Sequence, residues 1–248
     1  MSRTALITGG TRGIGAATAR LLAKRGYALC INYRHNHAAA EALLAELSGQ
    51  GTKVIAVQAD VSVEAEVIGL FDTLDRELGP LAALVNNAGR LQPQTRLADM
   101  SGERISRMFG DNALSQFLCC REAVRRMARD RGGRGGAIVN VSSAASYTGA
   151  PGEYVDYAAA KAAVDALTRG LSLEMADQGV RVNAVRPGCI HTDIHADGGE
   201  PGRVERLKDR IPMKRGGEPE EVAAAIAWLL SDEASYATGT FIDLAGGR

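Results

Sequence analysis

A tyrosine and a lysine four residues apart, Tyr157 and Lys161, are the side chains in this sequence best suited to proton transfer. On a helix they share one face. Tyrosine titrates near ~10, and bringing its pKa towards ~7 requires about 4 kcal/mol. An ammonium about 4 Å away supplies on the order of 4 kcal/mol at an effective dielectric of ~20. The pair is therefore a candidate acid/base, although this spacing also arises by chance on exposed helices.

A glycine-rich loop precedes the first helix-like segment and reads Thr8-Gly9-Gly10-Thr11-Arg12-Gly13-Ile14-Gly15. Gly9 can make the tight turn, Gly13 can let the backbone approach a pyrophosphate, and Gly15 can let helix and strand pack closely. The helix N-terminus adds free N–H groups and a partial positive charge. The position of the loop favours a dinucleotide site over an ordinary glycine turn.

The end of the second apolar run, Asn32-Tyr33-Arg34-His35-Asn36, contains no acidic residue. An acid there would bind an adenosine ribose 2′-hydroxyl. Arg34 can instead pair with a 2′-phosphate, with Arg12 as a second partner. The segment therefore favours NADP(H) over NAD(H), against the alternative that both arginines are simply solvated.

Short apolar runs alternate with helix-like stretches along the whole chain. The runs predict strands at 4–8, 28–33, 53–58, 82–86, 137–141, 180–185 and 241–244. Helices are predicted at 14–25, 38–47, 64–78, 104–129 with a break near Gly110, 157–177 and 218–230. This alternation predicts an α/β fold with a doubly wound parallel sheet and helices on both faces. Residues 1–248 are expected to form a single domain, with a charged, glycine-rich and mobile lid at about 189–217.

Composition excludes several other classes of protein. The 248 residues carry 29 Lys+Arg against 29 Asp+Glu, and aromatic residues make up 4%, so neither charge nor stacking favours a nucleic-acid partner. No apolar run approaches the ~18 residues of a membrane span. Four cysteines without a C-x-x-C pattern, and an N-terminus without a signal-peptide pattern, predict a cytoplasmic protein.

In order and spacing, these motifs resemble the short-chain dehydrogenase/reductase family, in which one Rossmann domain is the whole subunit. The matching segments are the 8–15 loop, Asp60-Val61, Asn86-Asn87-Ala88-Gly89, Asn112, Val141-Ser142-Ser143, Tyr157 with Lys161, and Pro187-Gly188. The resemblance covers residues 3–248 and implies a seven-stranded parallel Rossmann sheet. It also implies an NADP(H)-dependent oxidoreductase that interconverts a carbonyl and a secondary alcohol by hydride transfer.

The resemblance implies four catalytic residues. Tyr157 exchanges the substrate proton, and Lys161, helped by an oxidised nicotinamide, lowers its pKa and holds the nicotinamide ribose. Ser143 hydrogen-bonds the substrate oxygen, and Asn112 shapes its helix around a water linked to Lys161. The expected cofactor-binding residues, besides Tyr157 and Lys161, are Gly9, Thr11, Arg12, Gly13, Ile14, Gly15, Arg34, Asp60, Val61, Asn87, Ala88, Gly89, Pro187, Gly188, Ile190 and Thr192.

The sequence departs from the family pattern before Tyr157. Ser143 lies one residue further from Tyr157 than in many relatives, so Ser142 stays an alternative for the serine role. The segment 146–154 carries the extra residue, which is expected to bring Glu153 and Tyr154 near the substrate mouth.

Two further clusters have competing interpretations. His191 and His195, with Cys189, Asp193 and Asp197 nearby, could be a metal site, but they are interpreted as a polar lid and no metal is expected. A basic cluster could dock an acidic carrier protein or be a solvated helix end. It consists of Arg125, Arg126, Arg129, Arg131 and Arg134.

Several functions compete within and beyond this family. A 3-oxoacyl-carrier-protein reductase of fatty acid synthesis is favoured by the basic cluster and disfavoured by Gln178, where those reductases tend to carry a basic residue. The segment before Tyr157 is similar to that of glucose and sugar dehydrogenases. A silent dinucleotide-binding regulator conflicts with the intact catalytic set, and a sugar-nucleotide epimerase would need a further domain. The expected partners are a small carbonyl or alcohol and, through helices 104–129 and 157–177, three further copies in a homotetramer.

Overall fold

The computed structural model describes residues 3–248, and a seven-stranded sheet lies at its centre. The strands are β1 (Thr4–Ile7), β2 (Ala28–Tyr33), β3 (Val54–Gln58), β4 (Leu81–Asn86), β5 (Gly136–Val141), β6 (Val180–Pro187) and β7 (Phe241–Leu244). Their order is β3-β2-β1-β4-β5-β6-β7, and every neighbouring pair is parallel. The predicted doubly wound fold is confirmed, with β6 running two residues beyond its predicted end.

Ten α-helices follow or connect these strands. They are α1 (Gly13–Lys24), α2 (His37–Gly49), α3 (Glu64–Leu78), α4 (Gly102–Phe109), α5 (Ser115–Met127), α6 (Ala145–Thr148), α7 (Val155–Met175), α8 (Ile194–Asp197), α9 (Arg203–Leu207) and α10 (Pro219–Leu230). Short 3₁₀ turns lie at 97–99, 129–131, 208–210 and 232–234.

Apolar side chains fill both faces of the sheet. Successive strand residues point to opposite faces, so Ile7 joins the core beneath α1, α2 and α10, while Leu6 joins the core beneath α3, α5 and α7. This is why the strands contain unbroken apolar runs rather than alternating ones.

Local signals fix where several helices begin. The Asn36 side chain accepts a hydrogen bond from the N–H of Ala39 and caps α2, and Ser101 caps α4 through the N–H of Arg104. At α10, Pro219 stands in the first turn after a capping box formed by Glu218 and Glu221. These caps satisfy backbone N–H groups in the first turns of α2, α4 and α10.

The predicted helix at 104–129 is divided by a π-helical turn at 110–114. The predicted break near Gly110 is therefore a local widening between α4 and α5. Such turns insert an extra residue into the helical ladder. Here the turn contains Asn112, whose side chain is fully buried.

The lid segment, residues 189–217, contains α8 and α9. A single bridge pairs Ile190 with Gly217, and the N–H of Gly217 donates to the carbonyl of Cys189. The segment therefore leaves the sheet after β6 and returns to it before α10. None of the helices within residues 3–248 combines the length and the apolarity that crossing a membrane requires.

Candidate active site

A cleft of about 490 Å³ opens above the carboxyl ends of the central strands. The chain order reverses between β1 and β4, where loops from the two halves of the sheet diverge and leave a crevice. The cleft extends from the glycine loop past Tyr157 to the lid segment. Most predicted site residues meet here, and those lining the cleft are Gly9, Thr11, Arg12, Gly13, Ile14, Arg34, Asp60, Val61, Asn87, Ala88, Gly89, Ser143, Tyr157, Lys161, Pro187, Gly188, Ile190 and Thr192.

The glycine loop leaves room for a pyrophosphate at the start of α1. Gly9 adopts a φ of 59°, and a Cβ there would lie 3.0 Å from the Cα of Ala88. Gly15 lies behind the cleft, where a Cβ would stand 2.3 Å from the carbonyl oxygen of Gly9. The N–H groups of the first helical turn have no partners within the helix and point toward the cleft. Loop and helix together fit the diphosphate of a dinucleotide.

Asn87 ties the loop after β4 to the loop after β1. Its Nδ2 donates to the carbonyls of Thr8 and Gly9 at 3.1 and 2.9 Å. The hydroxyl of Thr8 in turn accepts from the N–H groups of Asn87 and Ala88, both at 3.0 Å. This places Asn87 as a brace beside the glycine loop.

Both arginines expected to meet a phosphate have carboxylate partners. Arg34 pairs with Asp60 at 2.7 Å and with Asp111 at 3.2 Å, and Arg12 pairs with Asp197 at 2.5 Å. The segment after β2 lacks an acid, but the fold brings acids from three other elements. Both arginines therefore have acidic partners that the local sequence did not predict. Asp111 was missed because its only sequence signal is its position next to Asn112.

Tyr157 and Lys161 lie on α7 with both side chains buried. The Nζ of Lys161 is 5.7 Å from the centroid of the Tyr157 ring and donates to the carbonyl of Val141 at 2.8 Å. Burial raises the pKa of Tyr157 to about 12, opposed by a hydrogen bond from Ser143. Burial also lowers the pKa of Lys161 to about 8. In the protein alone, desolvation thus moves the phenol pKa upward, in the direction opposite to that argued from the lysine charge.

The two candidate serines have different surroundings. The hydroxyl of Ser142 donates to the carbonyl of Lys161 at 3.2 Å and holds α7 against β5. The hydroxyl of Ser143 meets the Tyr157 phenol and accepts from the N–H of Ala145 at 3.1 Å. The geometry therefore favours Ser143 for contact with a substrate oxygen.

Asn112 lies behind the cleft inside the π-helical turn. Its Nδ2 donates to the carbonyls of Arg90 and Met108, and its Oδ1 accepts from the N–H of Arg90, each at 3.0 Å. A Cβ on Gly89 would lie 2.9 Å from that Oδ1 and 3.5 Å from the Nζ of Lys161. Asn112 thereby joins α4 to the loop that covers Lys161.

The loop after β6 closes the cleft from the side of the lid segment. The carbonyl of Pro187 accepts from the N–H of Ala144, and the N–H of Gly188 donates to the carbonyl of Leu244. The methyl carbon of Thr192 lies 3.0 Å from the position a Cβ would take on Gly13. The lid segment therefore meets the glycine loop across the cleft.

Residues near the substrate end were only partly foreseen. Glu153 and Tyr154 line the cleft as expected, and Arg203, His195 and Arg248 line it as well. The cluster considered as a metal site diverges, since His195 bonds the carbonyl of Ile190 whereas His191 lies 3.9 Å from Glu218. Within residues 3–248 no three histidine, cysteine or acidic side chains converge as metal ligands would.

Two of the five arginines in the basic cluster, Arg125 and Arg126, are paired with neighbouring acids. Arg126 pairs with Asp72 and Asp75, both at 2.7 Å, and with Glu122 at 2.9 Å. Glu122 also accepts from Arg125 at 2.8 Å. Among the described residues, Arg129, Arg131 and Arg134 have no acidic partner, so this surface keeps three unmatched cations.

With a Rossmann sheet, a glycine loop and a serine–tyrosine–lysine arrangement at one cleft, the chain belongs to the short-chain dehydrogenase/reductase family. A family model described as Enoyl-(Acyl carrier protein) reductase matches residues 9–248. The match covers every strand of the sheet except β1, which ends before residue 9.

Named relatives are similar over nearly the full chain. The "Uncharacterized oxidoreductase YgfF" of Escherichia coli (strain K12) is 59% identical over 244 residues, 98% of this chain and 99% of the relative. "Glucose 1-dehydrogenase 2" of Bacillus subtilis is 37% identical, covering 99% and 94% of the two chains. "3-oxoacyl-[acyl-carrier-protein] reductase FabG" of Staphylococcus aureus is 36% identical, covering 100% and 98%. The chain is therefore an oxidoreductase of this family.

Proposed function

We propose that this protein is an NADP(H)-dependent oxidoreductase that interconverts a small carbonyl compound and a secondary alcohol. The observation that carries the proposal is the meeting of Ser143, Tyr157 and Lys161 in the cleft that begins at the glycine loop. The buried phenol is protonated near neutral pH, because burial raises its pKa. It is therefore ready to donate a proton to a carbonyl oxygen.

Tyr157, Ser143 and Lys161 have separate roles in carbonyl reduction. The Tyr157 hydroxyl donates its proton to the substrate oxygen, and the Ser143 hydroxyl donates a hydrogen bond to the same oxygen. Lys161 places a positive charge beside the phenol and stabilises the phenolate formed in this step. The bound nicotinamide supplies or accepts the hydride. In alcohol oxidation the proton moves in the reverse direction.

The cofactor is held by the sheet edge and the loops around it. The glycine loop with the start of α1 receives the pyrophosphate, and Asp60 with Val61 meets the adenine. Pro187, Gly188, Ile190 and Thr192 frame the nicotinamide. These assignments agree with the residues that line the cleft.

The preference for NADP(H) rests on Arg34 and Arg12. Both side chains are over a third exposed and line the cleft, so either can exchange a carboxylate for a 2′-phosphate. Arginine–phosphate contacts are charge-assisted and bidentate, which favours that exchange. The pairing with Asp60 and Asp111 limits the size of the preference.

Replacement of the phenol hydroxyl tests the proposed chemistry. Tyr157→Phe should reduce NADPH-dependent turnover of a panel of ketones, sugars and acyl thioesters by about 100-fold or more, because the proton donor is lost. NADPH binding, measured by fluorescence titration, should persist. Full activity in Tyr157→Phe would refute the assignment of the proton donor.

A 3-oxoacyl-carrier-protein reductase is the second candidate, favoured by the similarity to FabG. The pairing of Arg125 and Arg126 with acids weakens docking of an acidic carrier at those two positions, whereas Arg129, Arg131 and Arg134 have no acidic partner within residues 3–248. Gln178, at the corresponding helix end, accepts from the N–H of Asp130. Turnover of an acyl thioester above that of small carbonyls would favour this candidate, and no turnover of any substrate would favour a silent regulator.

We also propose a cytoplasmic homotetramer. Phe109, Leu114 and Phe117 expose large apolar side chains between α4 and α5, as expected of a surface that meets another copy. The four cysteines are all free, which fits a reducing compartment.

A further inference from the structure

The cleft continues past Tyr157 into a small chamber beneath the lid segment. Leu91, Met108, Tyr154 and Tyr157 form an apolar cluster at its base, and Ile194 packs against it from the lid. The substrate must occupy this chamber, because the proton donor Tyr157 faces it. Polar atoms in an otherwise apolar wall then decide which substrates bind.

The Tyr154 hydroxyl is buried in this wall without a hydrogen-bond partner among the described residues. The residue is 3% exposed. The lid backbone lies directly over it, since a Cβ on Gly198 would be 3.0 Å from the Tyr154 Oη. Buried phenols usually find a partner, so this hydroxyl has a donor and an acceptor to offer.

His195 presents a second unmatched atom in the same wall. Its Nε2 donates to the carbonyl of Ile190 at 2.9 Å. Burial lowers the pKa of the ring, so it is neutral near pH 7 and its Nδ1 is an acceptor. That Nδ1 is buried and lacks a partner within the described part of the chain.

The arginine that lies over the apolar cluster is matched by acidic partners. Arg203 lies over the Tyr154 ring, 5.1 Å from its centroid, and pairs with both Glu153 and Glu200. Its side chain is only 11% exposed. To bind Arg203, an anionic substrate would have to break these pairs, whereas a neutral substrate would leave them intact.

We propose that this chamber binds a neutral substrate with a hydroxyl group next to its reacting carbonyl, recognised by the Tyr154 hydroxyl and the His195 Nδ1. A hydroxyl both accepts and donates, and so satisfies an unpaired donor and an unpaired acceptor together. Gly198 lies against the Tyr154 hydroxyl and gives way as the substrate enters. The proposal rests on the proposed oxidoreductase function and names its substrate class.

Matched substrate pairs test this assignment. With NADPH, the wild-type protein should reduce hydroxyacetone, acetoin and glyceraldehyde with a kcat/KM at least about tenfold above that of acetone, butanone and propanal. Tyr154→Phe should lower kcat/KM for the hydroxylated members by about 5- to 100-fold and leave the others nearly unchanged. His195→Phe should lower the ratio of kcat/KM for the hydroxylated substrates to kcat/KM for the others. Losing the hydrogen bond to Ile190 affects both substrates of a pair, so that general effect cancels in the ratio.

Two controls separate recognition from structure. Tyr147→Phe removes the hydroxyl of a half-exposed tyrosine that donates to the carbonyl of Arg248 and lies outside the cleft lining, and it should leave the ratio unchanged. Tyr154→Phe removes an unpaired hydroxyl, so its urea midpoint should not fall. A lower urea midpoint of Tyr154→Phe, with an equal loss of kcat/KM for both substrates of each pair, would show a structural role and overturn the proposal.

The failure of this proposal differs from failure of the proposed function. Reduction of propanal or an acyl thioester without preference for any hydroxylated member overturns the substrate class and leaves the oxidoreductase function standing. Absence of NADPH binding and of turnover with every carbonyl overturns both.

Discussion

At the residue scale, burial sets the chemistry of the site. Tyr157 and Lys161 each have a pKa moved toward the neutral form, to about 12 and about 8, because both lie away from solvent. A neutral phenol beside a lysine that titrates near physiological pH is suited to proton donation. The same burial makes a charged Lys161 side chain unfavourable for folding.

Removal of the Lys161 charge should therefore stabilise the protein. Its folded pKa lies below its unfolded value of 10.5, so the ammonium disfavours folding below about pH 8, and the cost disappears as pH rises from about 8 to 10.5. Lys161→Met should raise the free energy of unfolding by about 2–3 kcal/mol at neutral pH. Urea unfolding at several pH values should show that the difference in unfolding free energy between Lys161→Met and the wild type becomes smaller above about pH 8. If Lys161→Met is less stable than the wild type by an amount that does not change with pH, the expectation is wrong.

The proposed cofactor preference is also tested at single residues. Arg34→Asp should weaken NADPH binding by about 10- to 100-fold and leave NADH binding little changed, because a charge-assisted phosphate contact is replaced by repulsion. Asp111→Asn removes a competitor for Arg34 and should tighten NADPH binding by up to about fivefold. Fluorescence titration with both cofactors measures these constants. Tighter binding of NADH, with no response to Arg34→Asp, would refute the NADP(H) preference.

At the scale of elements, close approach fixes the site. The start of α1 packs against the glycine loop so closely that Gly15 has no room for a side chain. The π-helical turn performs a similar task for α4 and α5, because it buries Asn112 where it can bind the loop after β4. The catalytic helix α7 is held by Ser142.

Gly15→Ala tests the packing of α1. The added Cβ would stand 2.3 Å from the Gly9 carbonyl oxygen and 2.9 Å from the Cα of Gly10, so the loop backbone must move. The unfolding free energy should fall by about 1–3 kcal/mol, and NADPH affinity should fall with it. Gly69→Ala is the matched control, since no atom lies within 4 Å of its added Cβ on the exposed face of α3. That variant should be unchanged or slightly more stable.

At the scale of the whole molecule, a parallel sheet gathers the carboxyl ends of its strands at one edge. The glycine loop, the loop after β4 and the residues after β5 and β6 therefore meet, although they are far apart in the chain. The outer surface shows a second feature, the exposed apolar residues between α4 and α5. Association with another copy of the chain would remove this apolar surface from water.

Disruption of that surface should change the oligomeric state. Phe117→Asp places a charge where apolar contact is proposed, so light scattering should show a smaller species than the tetramer proposed for the wild type. Ile68→Asp alters a comparably exposed apolar residue on α3 and should leave the tetramer intact. A wild-type monomer, or an unchanged mass in Phe117→Asp, would contradict the proposed interface.

The sequence by itself determined the seven strands, the doubly wound sheet and most of the residues lining the cleft. Local signals suffice here, because apolar runs, helix caps and the glycine loop depend on neighbours within a few residues. Tyr157 and Lys161 could be paired in advance for the same reason, since their spacing on a helix fixes a shared face.

Tertiary structure decided the electrostatics of the site. The acids that meet Arg34 and Arg12 come from distant segments, and no spacing rule links Asp111 or Asp197 to those arginines. The direction of the Tyr157 pKa depends on how completely the fold excludes water, which a lysine four residues away does not reveal. The unpaired hydroxyl of Tyr154 and the Nδ1 of His195 likewise exist only after the lid segment has closed over them, because hydrogen-bond satisfaction depends on every element that packs around a group.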